Sequence, residues 1–223
     1  MKITFSKYKP FAIVMIVLSA IIITIIYTIL KPRPTLPIYQ PDMVNTELVD
    51  STKQYVKKYH TITDFNLVNQ NGDTITQADY KGKIYVADFF FTTCPTICPI
   101  MTDHMTRLQV KLKDHKNVLL LSHTVTPQID SVPVLKAYAV KKGVNDQKWN
   151  LVTGDKKQIY DLARKSYLVA KDQPYGGNYD MIHTENFVLV DSQKRIRGFY
   201  DGTKWEEMEQ LLKDIEVLEA SLE

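Results

Sequence analysis

The chain has 223 residues, of which 28 are Lys or Arg, 25 are Asp or Glu, 5 are His and 2 are Cys. Two cysteines are too few for a disulfide-stabilised scaffold or for an all-cysteine zinc site. Residues 1–30 carry three lysines and no acid, so basic and acidic residues balance from Lys31 onward. A neutral chain beyond the N-terminal segment excludes a nucleic-acid-binding surface, which requires a basic field.

The first predicted element is an uncharged apolar segment, Phe11 to Leu30. A helix of this length spans about 30 Å, the thickness of a bilayer's hydrocarbon core. A cleavable signal peptide has a shorter apolar core, of about 7–15 residues, and ends in small residues. We therefore predict a retained transmembrane helix over 11–30 that contacts membrane lipid.

Charges on either side of this helix predict its orientation. Three lysines precede it within residues 1–10, whereas one lysine and one arginine follow it closely. The positive-inside rule then places the N-terminus in the cytoplasm and the rest of the chain on the extracytoplasmic side of the cytoplasmic membrane.

Prolines dominate the next segment, at positions 32, 34, 37 and 41. This density is typical of a stiff, extended spacer. We predict a spacer over 31–59 that lifts a globular domain, residues 60–223, off the membrane.

The globular domain alternates between strand and helix patterns. Residues 83–91 are a continuous apolar run, typical of a strand that is buried on both faces. The predicted elements are, in order, a hairpin over 62–77, a strand over 83–91, a helix over 99–114, a strand over 118–125, a helix over 131–142, a strand over 149–152, a helix over 155–166, two strands over 184–190 and 196–200, and a closing helix over 205–218. This order predicts an α/β sandwich with parallel central strands, in a thioredoxin-like arrangement with an N-terminal β-hairpin.

Both cysteines, Cys94 and Cys98, lie between a buried strand and a helix. Ligands gather at the carboxyl ends of strands in open α/β sheets, and a helix N-terminus stabilises a thiolate, so at least one cysteine should have a lowered pKa. A purely structural disulfide is the alternative, but closing so short a loop removes little entropy from the unfolded chain. The position therefore favours binding of a soft metal or exchange with other disulfides.

A soft metal ion would need a third ligand beside the two thiolates, and imidazole is suitable for Cu(I). Four of the five histidines are predicted to have other positions: solvated His60 and His115, His104 facing away on a helix, and His123 in the core. His183 follows a glycine-containing loop, 171–180, from which it could swing onto both thiolates. From its position alone, a metal ligand and an ordinary loop residue are equal alternatives.

The segment from Phe91 to Pro99 resembles the signature of the SCO (SenC) family of cytochrome c oxidase assembly proteins. His183, followed by Thr184 and a strand, resembles that family's distant His-Thr element. The resemblance covers about residues 60–223 and extends to the layout of anchor and spacer. It implies a thioredoxin-like copper carrier in which Cys94, Cys98 and His183 bind the ion as Cu(I), with binding of Cu(II) left open.

The same resemblance implies two partners. One is cytochrome c oxidase subunit II, whose binuclear copper site the protein would metallate or whose thiols it would reduce. The other is a protein that donates the copper. On this basis the chain is expected to be a carrier, a metallochaperone, rather than an enzyme.

Two positions depart from the family's pattern. Members often read Val-Asp-Pro after the second core strand, where this chain has Val125-Thr126-Pro127 with Asp130 nearby. The residue before the distant histidine is often Asp, where this chain has Ile182. Both changes remove negative charge, which leaves the ligand set intact and alters the electrostatics expected to set copper affinity and redox poise.

The alternative function is that of a thiol–disulfide oxidoreductase that keeps the client's cysteines reduced. Enzymes of the thioredoxin type use a Cys-x-x-Cys spacing, one residue shorter than here, although one redox-active dithiol could serve both functions. A peroxiredoxin, by resemblance, requires Thr three residues before its reactive cysteine. Positions 91 and 95 are Phe and Pro, so the required Thr is missing for both cysteines and this is the least favoured of the three functions.

Overall fold

The computed structural model describes residues 9–30, 34–45, 55, 57–170 and 181–222. The chain forms two units, Met1–Thr35 and Leu36–Glu223. The first contains helix α1, Lys9–Leu30. Its segment Pro10–Thr28 has a mean hydropathy of 2.7 and is long and apolar enough to cross a membrane. This helix is compatible with the predicted anchor.

The second unit is built around one mixed sheet. Its strands are β1 Asn66–Asn69, β2 Thr74–Thr76, β3 Ile84–Phe90, β4 Val118–Thr124, β5 Trp149–Thr153, β6 Asn186–Val190 and β7 Ile196–Asp201. Its helices are α2 Ile97–Lys111, α3 Val132–Lys142, α4 Lys156–Asp161 and α5 Trp205–Glu219. A π-helical turn, Leu162–Ser166, continues α4 and completes the helix predicted over 155–166.

The strand order is β2-β1-β5-β4-β3-β6-β7. Strands β3, β4 and β5 run parallel, whereas β1 and β6 pair antiparallel to the two sides of this central group. The hairpins β1–β2 and β6–β7 form the two edges. The predicted thioredoxin-like sandwich, with parallel centre and antiparallel late pair, is confirmed.

Strand β3 shows why the sheet lies in the middle of the unit. Alternate side chains of a strand point to opposite faces. Tyr85, Ala87 and Phe89 join a hydrophobic cluster on one face. Ile84 and Val86 join the cluster on the other, which also contains both cysteines and the buried positions of α2, α3 and α5. Every residue of β3 is buried, as predicted for a strand covered on both faces.

The second unit begins at Leu36, and the globular domain is predicted from residue 60. Residues 36–40, called the strap from here on, lie along the edge strand β7. The Tyr39 N–H donates to the Ile196 carbonyl (2.9 Å), and Arg197 donates to the carbonyl oxygens of Leu36 and Pro37 (2.6 and 2.9 Å). Prolines fit an edge because they need no partner for an N–H. The extended conformation was predictable, but its attachment to β7 was not.

The strap also changes the environment of His60. The prediction that His60 is solvated is wrong, because its side chain is buried. The backbone N–H of His60 donates to Gln40 Oε1 (3.0 Å), and its ring Nε2 lies 2.7 Å from the Ser166 carbonyl oxygen. His115, also predicted to be solvated, is half-buried against Glu219.

Turn and cap predictions agree with the structure. Gly72 has a φ of 85° in the β1–β2 turn. Gly143 has a φ of 67° and ends α3 in the left-handed conformation. Asp155 caps α4 by accepting from the Gln158 N–H. The predicted loop over 171–180 lies outside the described residues.

Candidate metal centre

Residues 91–96, called the cysteine loop, connect the end of β3 to the start of α2. Cys94 lies in this loop, and Cys98 is the second residue of α2, because the helix begins two residues before the predicted boundary at 99. The Cys94 N–H donates to the Phe91 carbonyl (3.3 Å), which folds the loop back on itself. Pro99 is tolerated because the first helical N–H groups have no partner within the helix.

Both cysteines are free thiols with little exposed surface. Burial acts to raise the pKa of Cys94, but hydrogen bonds from the backbone N–H groups of Cys98 and Thr96 outweigh it and lower the pKa to about 7. Burial and the neighbouring charges of Cys94 and Asp88 raise the pKa of Cys98 to about 12. The predicted lowered pKa therefore belongs to the cysteine of the loop.

This difference between the thiols has a chemical consequence. At neutral pH Cys94 is present in large part as the thiolate, the form that attacks disulfides and binds soft metals. Cys98 keeps its proton until a metal ion or an oxidation reaction displaces it.

Asp88, on β3, is a residue of this region that the sequence reasoning missed. Its side chain is buried, and its Oδ1 has no hydrogen-bond partner among the described residues. Burial raises its pKa to about 7, partly offset by a hydrogen bond with Ser122. The signal was a single acid inside an apolar strand, which is costly unless the group is neutral or has a partner.

His183 lies beside the cysteine loop without joining the cysteines. Its exposed ring makes an edge contact with Phe91, with ring centroids 6.0 Å apart. Its Nδ1 lies 3.2 Å from the Met181 carbonyl oxygen. A carbonyl can only accept, so Nδ1 carries the proton and Nε2 presents its lone pair.

Within the described residues, no group of three or more His, Cys, Asp or Glu side chains is arranged to hold a metal ion. The structure thus places Cys94 and Cys98 together, whereas His183 contacts Phe91 of the cysteine loop and neither cysteine. The remaining helix and core histidines have separate contacts. His104 is buried against Trp205 with Nδ1 2.8 Å from the Gly202 carbonyl oxygen, and His123 is fully buried as predicted.

The two positions that depart from the family's pattern have clear environments. Ile182 is buried in the hydrophobic cluster that also contains Phe89, where an acid would need a partner. Thr126 donates its hydroxyl to the Asp130 carboxylate (3.0 Å). Neither side chain supplies charge next to the thiols.

Comparisons with known proteins show which proteins this chain is similar to. A model of the SCO1/SenC family matches residues 53–219. The SCO1 protein homolog of Bacillus subtilis is 32% identical over 158 residues, which cover 70% of this chain and 81% of that protein.

Three solved structures extend the similarity to the fold. A SCO1/SenC family lipoprotein from Bacillus anthracis str. Ames superposes with a TM-score of 0.64 at 33% identity, covering 71% of this chain and 95% of that one. BsSco is described as a member of the Sco family of cytochrome c oxidase assembly proteins with a disulfide switch. It superposes with a TM-score of 0.58 at 32% identity, covering 70% of this chain and 92% of that one. Copper-bound ScoI of Bradyrhizobium japonicum superposes with a TM-score of 0.52 at 27% identity, covering 70% of this chain and 99% of that one.

Proposed function

Because the chain belongs to the SCO1/SenC family, we propose that it is a membrane-anchored copper metallochaperone for the assembly of cytochrome c oxidase. Cys94, Cys98 and His183 bind the copper ion that a donor protein supplies. The ion then passes to the binuclear copper site of oxidase subunit II. The copper-bound relative and the relative described as an oxidase assembly protein support this function.

The observation that carries the proposal is the pair of free thiols at the start of α2. Cu(I) is a soft ion that prefers thiolate ligands. Cys94, with its pKa of about 7, offers one thiolate at little cost, and the ion displaces the proton of Cys98 as it binds. We expect Cu(I) to be the bound form for this reason, and Cu(II) binding remains a separate question for titration.

His183 suits the role of third ligand through its tautomer. Ligating histidines usually donate their second ring N–H to a carbonyl or carboxylate, which fixes the ring and leaves the other nitrogen for the metal. The contact between Nδ1 and the Met181 carbonyl supplies this arrangement. The ring is exposed and contacts Phe91, the first residue of the cysteine loop, so it can turn without unpacking the core.

We propose that α1 spans the cytoplasmic membrane with the N-terminus in the cytoplasm. The Leu36–Glu223 unit then lies on the extracytoplasmic side, where it meets its client. The helix's apolar length supports the anchor, and the excess of lysines before it supports the orientation.

The test is copper binding by the full chain in detergent under anaerobic conditions. We expect one Cu(I) per chain. Cys94→Ser or Cys98→Ser removes the bidentate thiolate site and should abolish tight binding. His183→Ala should weaken binding by at least about tenfold, the lower end of the loss for a partner one step removed from a ligand, and leave two-coordinate binding. His115→Ala, at a half-buried histidine that contacts Glu219, is the matched control. Full copper stoichiometry in the double Cys→Ser variant would contradict the assignment.

Thiol–disulfide exchange is a second candidate, favoured by the pKa difference between the cysteines. The Cys94 thiolate would attack a client disulfide and form a mixed disulfide. The Cys98 thiol would then lose its proton and attack Cys94 Sγ, which releases the client as a dithiol and leaves a Cys94–Cys98 disulfide. A separate reductant must return the pair to the dithiol.

The same His183→Ala variant separates the two functions. A copper carrier loses affinity without His183, whereas thiol exchange uses only the cysteines and should keep its rate. Unchanged copper affinity together with fast exchange would favour the reductase.

A further inference from the structure

A buried carboxylate lies next to the cysteine loop and belongs to none of the roles assigned above. Asp130, in the segment between β4 and α3, is fully buried. Its carboxylate accepts hydrogen bonds from the Thr92 N–H (3.2 Å), from the Thr92 hydroxyl, and from the hydroxyls of Thr124 and Thr126. Across the described part of the chain, no lysine, arginine or histidine forms an ion pair with it.

These four bonds connect two neighbouring parallel strands at their carboxyl ends. Thr124 is the last residue of β4, and Thr92 lies just beyond the end of β3. The two strands are also joined there by the Val125 N–H, which donates to the Phe90 carbonyl (2.8 Å). Asp130 therefore fixes the point at which the cysteine loop leaves the sheet.

Thr92 is bound through both its backbone and its side chain, and it precedes Cys94 by two residues. Two bonds to one residue set the orientation of the peptide that leads to the thiol. That orientation sets the position of Cys94 Sγ, which lies 3.7 Å from the Thr96 hydroxyl oxygen and faces the N–H groups of Thr96 and Cys98. A shift of the loop would remove these donors from the sulfur.

We propose that Asp130 is a positioning residue for the Cys94–Cys98 site, because its carboxylate holds Thr92 and thereby the loop that carries Cys94. The role in copper binding rests on the proposed function, whereas the effect on the thiol does not. Partners one step removed from a ligand typically change metal affinity by about 10- to 100-fold when they are lost.

The carboxylate's geometry separates positioning from charge. Its Oδ2 accepts three of the four bonds, and Oδ1 accepts only from the Thr92 hydroxyl. Asp130→Asn can keep the three bonds on its amide oxygen, and the Thr92 hydroxyl can turn to accept from the amide nitrogen. Asp130→Ala loses all four bonds. Both variants lose the charge.

The experiment uses the reduced, copper-free full chain in detergent and measures the rate at which iodoacetamide alkylates Cys94 at pH 7, with the site identified by mass spectrometry. We expect Asp130→Ala to slow alkylation by about tenfold and Asp130→Asn to stay within about twofold of the wild type. Copper affinity, measured by competition with a chromophoric chelator, should follow the same order.

The matched control is Asp191→Ala. Asp191 is also a buried carboxylate, but it lies after β6, at the opposite end of the sheet, where it binds Arg195 and Arg197. Its loss should destabilise the fold and leave the alkylation rate of Cys94 unchanged. Equal slowing of Cys94 alkylation in Asp130→Ala and Asp191→Ala would show that a general loss of stability causes the slowing, and would overturn the proposal.

A second pair of variants keeps the test decisive if Asp130→Ala does not fold. Thr92→Val loses the hydroxyl and should slow alkylation by about threefold, whereas Thr92→Ser keeps it and should restore the wild-type rate. Equal rates in the two Thr92 variants, or slowing in Asp130→Asn as large as in Asp130→Ala, would contradict positioning. A wild-type chain that binds no copper but shows the expected alkylation order would overturn only the proposed function.

Discussion

At the scale of single residues, two buried titratable groups on neighbouring strands act in opposite directions on stability. Burial lowers the pKa of His123 to about 4, only partly offset by its hydrogen bond to the Asp88 carbonyl oxygen (3.3 Å). Its Nε2 has no partner within the described residues, and its ring lies among Phe65, Phe89 and Tyr167. Asp88 has its pKa raised to about 7.

The signs follow from which state binds more protons. Between about pH 4 and 6.5 the unfolded chain protonates His123 and the folded chain does not, so the His123 contribution to stability is lost as the pH falls. Over nearly the same range the folded chain keeps the proton of Asp88 and the unfolded chain loses it, so the Asp88 contribution is lost as the pH rises. Each slope is at most about 1.4 kcal/mol per pH unit, and in the wild type the two largely cancel.

Single substitutions should therefore reveal opposite slopes. Relative to the wild type, we expect Asp88→Asn to lose up to about 3 kcal/mol of stability as the pH falls from 6.5 to 4.5, and His123→Phe to gain a similar amount. The measurement is urea unfolding of each variant at several pH values.

The double variant Asp88→Asn/His123→Phe is the internal control. With both groups removed, its stability should run parallel to that of the wild type across this pH range. Single variants that also run parallel to the wild type would show that neither group is perturbed as the structure indicates.

At the scale of elements, the strap depends on one arginine. Arg197 is 9% exposed, and it donates to two strap carbonyls and to the Asp191 carboxylate (2.8 Å). Tyr39 adds an edge contact with Phe199, with ring centroids 5.2 Å apart. The strap thereby covers an edge strand that would otherwise present unpaired backbone groups to other chains.

Loss of this arginine should be among the more destabilising single changes in the unit. Arg197→Ala leaves Asp191 with one cation fewer and two strap carbonyls without their donor, and we expect the free energy of unfolding to fall by about 3 kcal/mol. Lys194→Ala, which breaks only an exposed ion pair with Asp64, should change it by less than about 1 kcal/mol. Chemical denaturation measures both, and equal effects would show that the strap adds nothing to stability.

At the scale of the whole molecule, the proposed anchor determines where the folded unit acts. Helix α1 ends at Leu30, the second unit begins at Leu36, and a spacer is predicted over 31–59. Under the proposed function, the anchor would keep the unit near a membrane-bound client and raise its effective concentration to about millimolar without any new contact.

Confinement predicts how oxidase assembly responds to changes in the anchor. In cells that lack the native protein, an exported form without residues 1–30 should restore little oxidase activity at native abundance and more when overexpressed. Replacing residues 10–28 with an unrelated apolar helix should restore full activity, because confinement needs a span and no particular sequence. Equal rescue by soluble and anchored forms at matched low abundance would leave the helix as a targeting device only.

The sequence by itself determined the features that depend on local pattern. Composition alone identifies α1, because no polar face interrupts its apolar run. The periodicity of apolar residues and the turn residues locate the strands and helices of the folded unit. The cysteines can be placed between β3 and α2 because the apolar patterns of that strand and that helix are clear in the sequence. The family resemblance rests on the segment from Phe91 to Pro99 and on His183.

Only the tertiary structure decided what depends on partners distant in the chain. Prolines predict an extended strap, but its attachment to β7 requires Arg197, about 160 residues later. The pKa difference between the cysteines arises from burial and from backbone N–H groups whose direction no spacing reveals. Asp130 reads as an ordinary loop acid until folding brings it to Thr92, 38 residues away in the chain, because hydrogen bonds between loops leave no periodic trace in the sequence.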